Sequence, residues 1–214
     1  MNFGHEYGRL LALFPEDHQG RGVDRGHHAG VVADQPMTYG LLLSAESLRY
    51  RAEPSEEGSR RVRKAARWLL DNSRLAADGK PGWGLPGVWA HRPGNTPFTI
   101  TTAIVLEGFL DALKLNLWTP AESDEMANLM REVCERWRRD LWVEGFSGGY
   151  FCYSPCDMSP GWFCINAPAM FLGAMARLLG EHDALLPPDE RHRLRSHGDA
   201  LARSIAATAE LRKG

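Results

Sequence analysis

The chain lacks several features that would have placed it at once. No stretch approaches the roughly 18 to 20 consecutive apolar residues that a membrane helix needs, although 43% of its 214 residues are hydrophobic. A membrane is therefore not an expected partner. Lys and Arg alternate with Asp and Glu to give a formal net charge of -2 and a pI near 6.4, without the single-sign block that marks a nucleic-acid arm. Nucleic acid is not expected either. Four cysteines are too few for a disulfide scaffold, and residues 1–9 carry early charges with no secretory-type apolar core behind them. These features read as a cytoplasmic chain with free, buried thiols.

Runs with period two are short and are broken by Gly, Pro or charge, so little sheet is expected. What remains is helical, and the helices come in two alternating kinds. Segments 38–50 (TYGLLLSAESLRY), 98–113 (FTITTAIVLEGFLDAL) and 166–179 (NAPAMFLGAMARLL) are apolar or small on nearly every face, as helices surrounded by protein are. Segments 59–72, 123–142 and 188–211 are amphipathic and charged, with one wet face. Ser123, followed by Asp124 and Glu125, reads as one helix start, and Gly180 as the residue after a helix end. The length suits one domain over 1–214. Residues 1–35, with Gly20, Gly22, Gly26, Gly30, His27 and His28, read as a short helix near 7–14 followed by a loop.

A shift of 65 residues places Gly84 on Gly149, Gly108 on Gly173, Thr101 on Asn166 and Leu113 on Leu178. Each unit then has one grammar: a glycine-aromatic turn, an irregular loop, an apolar helix, a short turn and a charged helix. A period of this size implies stacked helical hairpins, none able to bury its apolar face alone.

The stretches KPGWGLPG with NTPFTITTAIVLEGFLDAL, and GGYFCYSP with NAPAMFLGAMARLL, resemble consecutive units of the α/α toroid proteins. That superfamily includes the six-hairpin glycosidases, polysaccharide lyases, uronic-acid epimerases, terpenoid cyclases and zinc prenyltransferases. The resemblance covers residue 37 to the C-terminus and implies an all-α array of about three hairpins, with apolar inner and amphipathic outer helices. Three hairpins do not close a ring of five to seven. Either an open half-toroid, a ring closed by a second chain, or a shortened relative follows.

In such a ring the loops before the inner helices lie at the cavity mouth. Loop one offers Trp83, Trp89, His91, Arg92 and Asn95; loop two offers Tyr150, Tyr153, Asp157, Trp162 and Asn166. Aromatic faces stack on sugar rings while amides and carboxylates hold hydroxyls. This assigns Tyr150, Tyr153, Asp157 and His91 to catalysis, and Trp83, Trp89, Arg92, Asn95, Trp162 and Asn166 to substrate. The other reading is that the aromatics plug gaps between helix ends. The implied function is a carbohydrate-active protein on a polysaccharide or oligosaccharide: a lyase, epimerase or hydrolase if an enzyme. A non-catalytic half-toroid that binds a protein partner or a second copy is the alternative. A terpenoid or prenyl-type toroid enzyme is a third reading, placed below the sugar one because the Asp-x-Asp-Asp motif of the terpenoid cyclases is absent.

Cys152, Cys156 and Cys164 are spaced C-x3-C-x7-C, without paired knuckles or a histidine in the loop, so neither a metal nor another cofactor is assigned. Glu107 is either a second cavity carboxylate or the partner of a nearby Arg. Glu46 and Asp111 read as partners of Arg49 or Lys114.

Overall fold

The computed structural model describes residues 3–12, 21–24, 31–144, 148–158 and 164–211. Seven α-helices are present among them: α1 (Phe3–Ala12), α2 (Pro36–Ala52), α3 (Glu56–Asp71), α4 (Thr99–Ala112), α5 (Pro120–Asp140), α6 (Asn166–Glu181) and α7 (Pro188–Leu211). The chain is mostly helical, as expected, and none of these helices is long and apolar enough to cross a membrane.

From α2 onward apolar and charged helices alternate along the chain. The apolar helices make one row, α2 against α4 and α4 against α6. The charged helices lie behind them, α3 against α2 and α7 against α6. Between these, α5 sends Met126, Met130, Val133 and Trp137 into the common core. Trp137 stacks on Phe171 of α6 at 5.3 Å and donates its indole N–H to the Thr99 hydroxyl of α4 at 2.9 Å. Ion pairs Arg63–Glu122, Arg67–Glu125 and Arg74–Glu132 join the α3 side to α5 across the surface. Exposed pairs of this kind contribute little individually. The contact between α2 and α4 is closer: a Cβ on Gly108 would stand 2.7 Å from the carbonyl oxygen of Gly40. Only glycine permits that approach.

Local chemistry moves some boundaries from their sequence expectations. Helix α5 starts a turn before Ser123, because Thr119 and Glu122 form a reciprocal capping box and Pro120 sits at the first helical position. Ser55 caps α3 by accepting from the Gly58 amide at 3.1 Å. Gly180 lies inside α6, whose last residue, Glu181, pairs with Arg177 and Lys114.

Two small hairpins were not expected. Strands β1 (Arg21–Asp24) and β2 (Val31–Asp34) pair antiparallel, with Val23 opposite Val32. Val23, Val31 and Val32 favour that pairing over the loop anticipated there. His27 and His28 lie outside the described residues. Strands β3 (Trp142–Val143) and β4 (Tyr150–Phe151) pair after α5 and return the chain towards α6. At the other end Tyr7 of α1 donates to the fully buried Glu46 of α2 at 3.3 Å, and Arg49 Nε donates to the same carboxylate at 2.9 Å.

Each helix of the apolar row keeps one stripe out of the core. On α2 it is Leu41 and Leu48, on α4 Ile100, Ile104, Glu107 and Asp111, and on α6 Asn166, Met170, Gly173 and Arg177.

Candidate functional site

Loop one, 82–98, folds back on itself. The amide of Phe98 donates to Trp83 O at 3.0 Å and that of Asn95 to Leu85 O at 2.6 Å, while Trp89 and Arg92 exchange both backbone hydrogen bonds. Ala90 and His91, the two residues between them, have φ of 47° and 66°. A two-residue turn with positive φ at both positions suits Asn-Gly; here the backbone holds an alanine and a histidine in it. His91 is exposed at that tip. Asn95 is half-buried with φ 61°, a conformation that asparagine tolerates better than most residues.

Loop two is fastened to the start of α4. The Thr99 amide, which has no partner within its own helix, donates to Tyr153 O at 2.9 Å, and the Thr99 hydroxyl donates to Cys152 O at 2.5 Å. Tyr153 is thereby brought over the first turn of α4. Its ring lies 5.4 Å from Phe98 and 6.0 Å from Trp89, and Trp89 meets Phe98 edge-on at 5.4 Å.

An ion pair stands beside these rings. Arg92 donates to Asp157 through Nε at 2.9 Å and also through Nη2, and its Nη1 donates to Ala90 O at 3.2 Å. The two side chains are only 12% and 10% exposed. Asp157 also accepts from the Ser154 hydroxyl at 2.5 Å, and the Arg92 guanidinium lies 5.2 Å from the centre of the Trp89 ring. Hydrogen bonding to Asp157 pushes the Arg92 guanidinium above its ordinary range, and burial raises the Tyr153 phenol. Near neutral pH that phenol is a hydrogen-bond donor, not a base.

The structure thus gathers Trp89, Arg92, Tyr153 and Asp157, and leaves other candidates elsewhere. Trp83 is 1% exposed, donates its indole N–H to Leu69 O at 3.0 Å and packs on Phe109. It is a core side chain, not a stacking platform. Tyr150 is 4% exposed within β4, out of reach of a substrate. Asn166 is exposed as the first residue of α6, with its side-chain oxygen accepting from the Ala167 amide at 3.0 Å and the Cys164 thiol at 2.8 Å. Trp162 lies outside the described residues. Phe98 and Ser154 were not singled out by sequence; Phe98 stands one residue before α4, and Ser154 three residues before the acid it supports. Arg92 and Asp157 are 65 residues apart, the same shift that aligns Gly84 with Gly149 in the sequence.

Glu107 is the partner of an arginine, Arg177, which also donates to Asp111 at 2.7 Å and pairs with Glu181. Ser44 of α2 donates to Asp111, so this network crosses all three apolar helices. Lys114 pairs with Glu181 instead of Asp111. A groove of about 310 Å³ between α3 and α5, with Leu70, Trp118 and Met126 in its wall, is bridged by the Arg63–Glu122 and Arg67–Glu125 pairs.

Among the described residues no group of His, Cys, Asp and Glu has the arrangement of a metal site. All four cysteines are free. Burial pushes the Cys134 thiol up to about 12 and the Cys152 thiol up to about 11, and Cys152 lies 3.1 Å from the Met158 sulfur. Cys156 is exposed and Cys164 half-exposed. Thiol titration of the native protein is therefore expected to modify Cys156 first and Cys164 next, with Cys134 and Cys152 reacting only on unfolding. Rapid native labelling of Cys134, read by peptide mass, would contradict this packing.

Comparison of the chain with protein-family models, curated proteins and solved structures finds no match in any of the three.

Proposed function

We propose that the two loops form a glycan-binding site, and that the chain is a carbohydrate-active protein built on an open arc of the α/α toroid plan. The observation that carries this reading is the convergence of two loops, distant in sequence, on one aromatic group beside a part-buried ion pair. Trp89 and Tyr153 would supply ring faces for a sugar and the Tyr153 hydroxyl a donor, and Arg92 and Asp157 would hold the loops at a fixed spacing. A pre-set spacing reduces the ordering cost of binding.

Binding fits this geometry better than bond cleavage. Hydrolysis needs one carboxyl group free to donate a proton and another free to act on water or on the sugar. Here Asp157 accepts from Arg92 and Ser154, and Glu107 is paired with Arg177. Elimination or epimerisation needs a base, and the raised Tyr153 phenol does not supply one near neutral pH. His91 at the loop tip is the group left for proton transfer if the protein also modifies its ligand.

A panel of neutral and uronic oligosaccharides, followed by isothermal titration, tests the proposal. Trp89→Ala and Tyr153→Ala are each expected to weaken binding at least tenfold, about 1.4 kcal/mol, with helical circular dichroism retained. Equal affinity in both folded variants, or no ligand in the panel, overturns the reading.

A further inference from the structure

The apolar stripe on the open side of α2, α4 and α6 has no part in the site described above. Leu41 is 56% exposed, Leu48 47% and Met170 39%, with Ile100 and Ile104 half-buried between them. Leu41 of α2 and Met170 of α6, joined across α4 by Ile100 and Ile104, form a patch, whereas Leu48 lies beyond Ser44; such a patch needs an explanation that scattered surface leucines do not.

The position of the patch supplies one. Phe98 of the aromatic group is the residue before α4, and Ile100, two residues on, begins the stripe. Met170 stands one turn into α6 after the exposed Asn166. The apolar surface therefore starts where the loop site ends. Along α4 it runs from Ile100 and Ile104 to Glu107, roughly 10 Å at 1.5 Å per residue. There the network of Glu107, Asp111, Arg177 and Ser44 closes it with charge. Gly173, with only Glu107 Oε1 near the place of a Cβ at 3.9 Å, leaves room beside Met170.

We infer that the ligand is a sugar bearing an apolar tail, its ring held by the Trp89 and Tyr153 loops and its tail lying along Ile100, Ile104, Leu41 and Met170. The inference rests on the glycan reading and names the class of glycan. Patch size favours a tail over a second copy of the chain: the exposed apolar area is on the order of a few hundred Å². A stable dimer needs about 800 Å² from each partner.

Methyl and octyl β-glucoside, titrated below the micellar concentration into the full chain, separate the outcomes. The octyl compound is expected to bind at least tenfold more tightly, because methylenes leave water on the stripe. Leu41→Asp and Met170→Asp, both at exposed positions, are expected to remove that gain and to leave the methyl glucoside unchanged. Equal affinity for the two glucosides overturns the tail while the glycan site stands. Octanol binding as tightly as octyl glucoside overturns it too, since the sugar then contributes nothing. Failure of both glucosides to bind removes the site and the tail together. Light scattering of the same samples checks the competing occupant: a dimer that Leu41→Asp dissociates, with no effect of alkyl length, assigns the stripe to a second copy.

Discussion

A Trp137→Ala protein is expected to lose about 3–5 kcal/mol of stability, the range for removing a large aromatic side chain from a packed interior. The side chain has no exposure and joins three parts of the molecule. Its ring stacks on Phe171 of α6, its indole N–H donates to Thr99 at the start of α4, and its far edge sits where a side chain on Gly82 would have to go. Truncation opens a cavity between α4, α5 and α6 that the surrounding backbone cannot collapse into, because loop one closes it from above. A domain of this kind has roughly 5–15 kcal/mol in all, so the loss is a large fraction of the total. Trp137→Phe keeps most of the stack and gives up the hydrogen bond, and about 1–2 kcal/mol is expected. Urea denaturation of both variants measures this; a Trp137→Ala loss below 1 kcal/mol would mean that α5 does not seat against α4 and α6 as described.

Trp137 was legible in the sequence only as one apolar position on a charged helix, and the limits of the reading follow from cases like it. The alternation of apolar and charged helices was readable because burial on all faces and burial on one face leave different residue patterns. The bounds of α7 matched because Pro188 and the polar residues after it make a clear start. The start of α5 was misplaced because two capping signals, Thr119 with Glu122 and Ser123 with its acids, lie four residues apart, and only the first makes its bonds. The strands β3 and β4 are two residues each, too short to have a period.

Within loop one the sequence could not separate Trp83 from Trp89, since both sit near glycine and proline. The difference is tertiary. Trp83 lies opposite Leu69 O and Phe109, whereas Trp89 lies opposite Tyr153 of loop two. The apolar stripe was hidden for a related reason. Ile100 and Ile104 read as core in a helix that is apolar throughout, and only the positions of α2 and α6 leave them half-exposed. The Arg92–Asp157 pair was within reach of sequence, because the 65-residue shift places Arg92 on Asp157.

Gly84→Ala is expected to be the most damaging glycine-to-alanine change among the described residues. Gly84 bridges to Pro97 where the two arms of loop one cross, and an added Cβ would stand inside 3.0 Å of both the carbonyl carbon and the carbonyl oxygen of Thr96. Backbone, unlike a flexible side chain, cannot turn away from it, so the arms must separate. Separation breaks the bond from the Phe98 amide to Trp83 O and loosens Trp83 beneath it. A loss of at least about 3 kcal/mol is expected, the upper end for forcing extra atoms into packed structure. The same movement carries Phe98 away from Tyr153 and Trp89 away from both, so glycan affinity should fall more than tenfold even among molecules that remain folded. Gly173→Ala provides the contrast, because a Cβ there meets nothing closer than 3.9 Å in the middle of α6. It should raise stability by about 0.5–1 kcal/mol through helix propensity alone. Urea denaturation of the two variants, with glycan titration of each, sets a helix glycine with space around it against a loop glycine without. If Gly84→Ala proves as stable as the parent chain, the arms of loop one do not cross in solution, and the aromatic group that depends on that crossing is not formed.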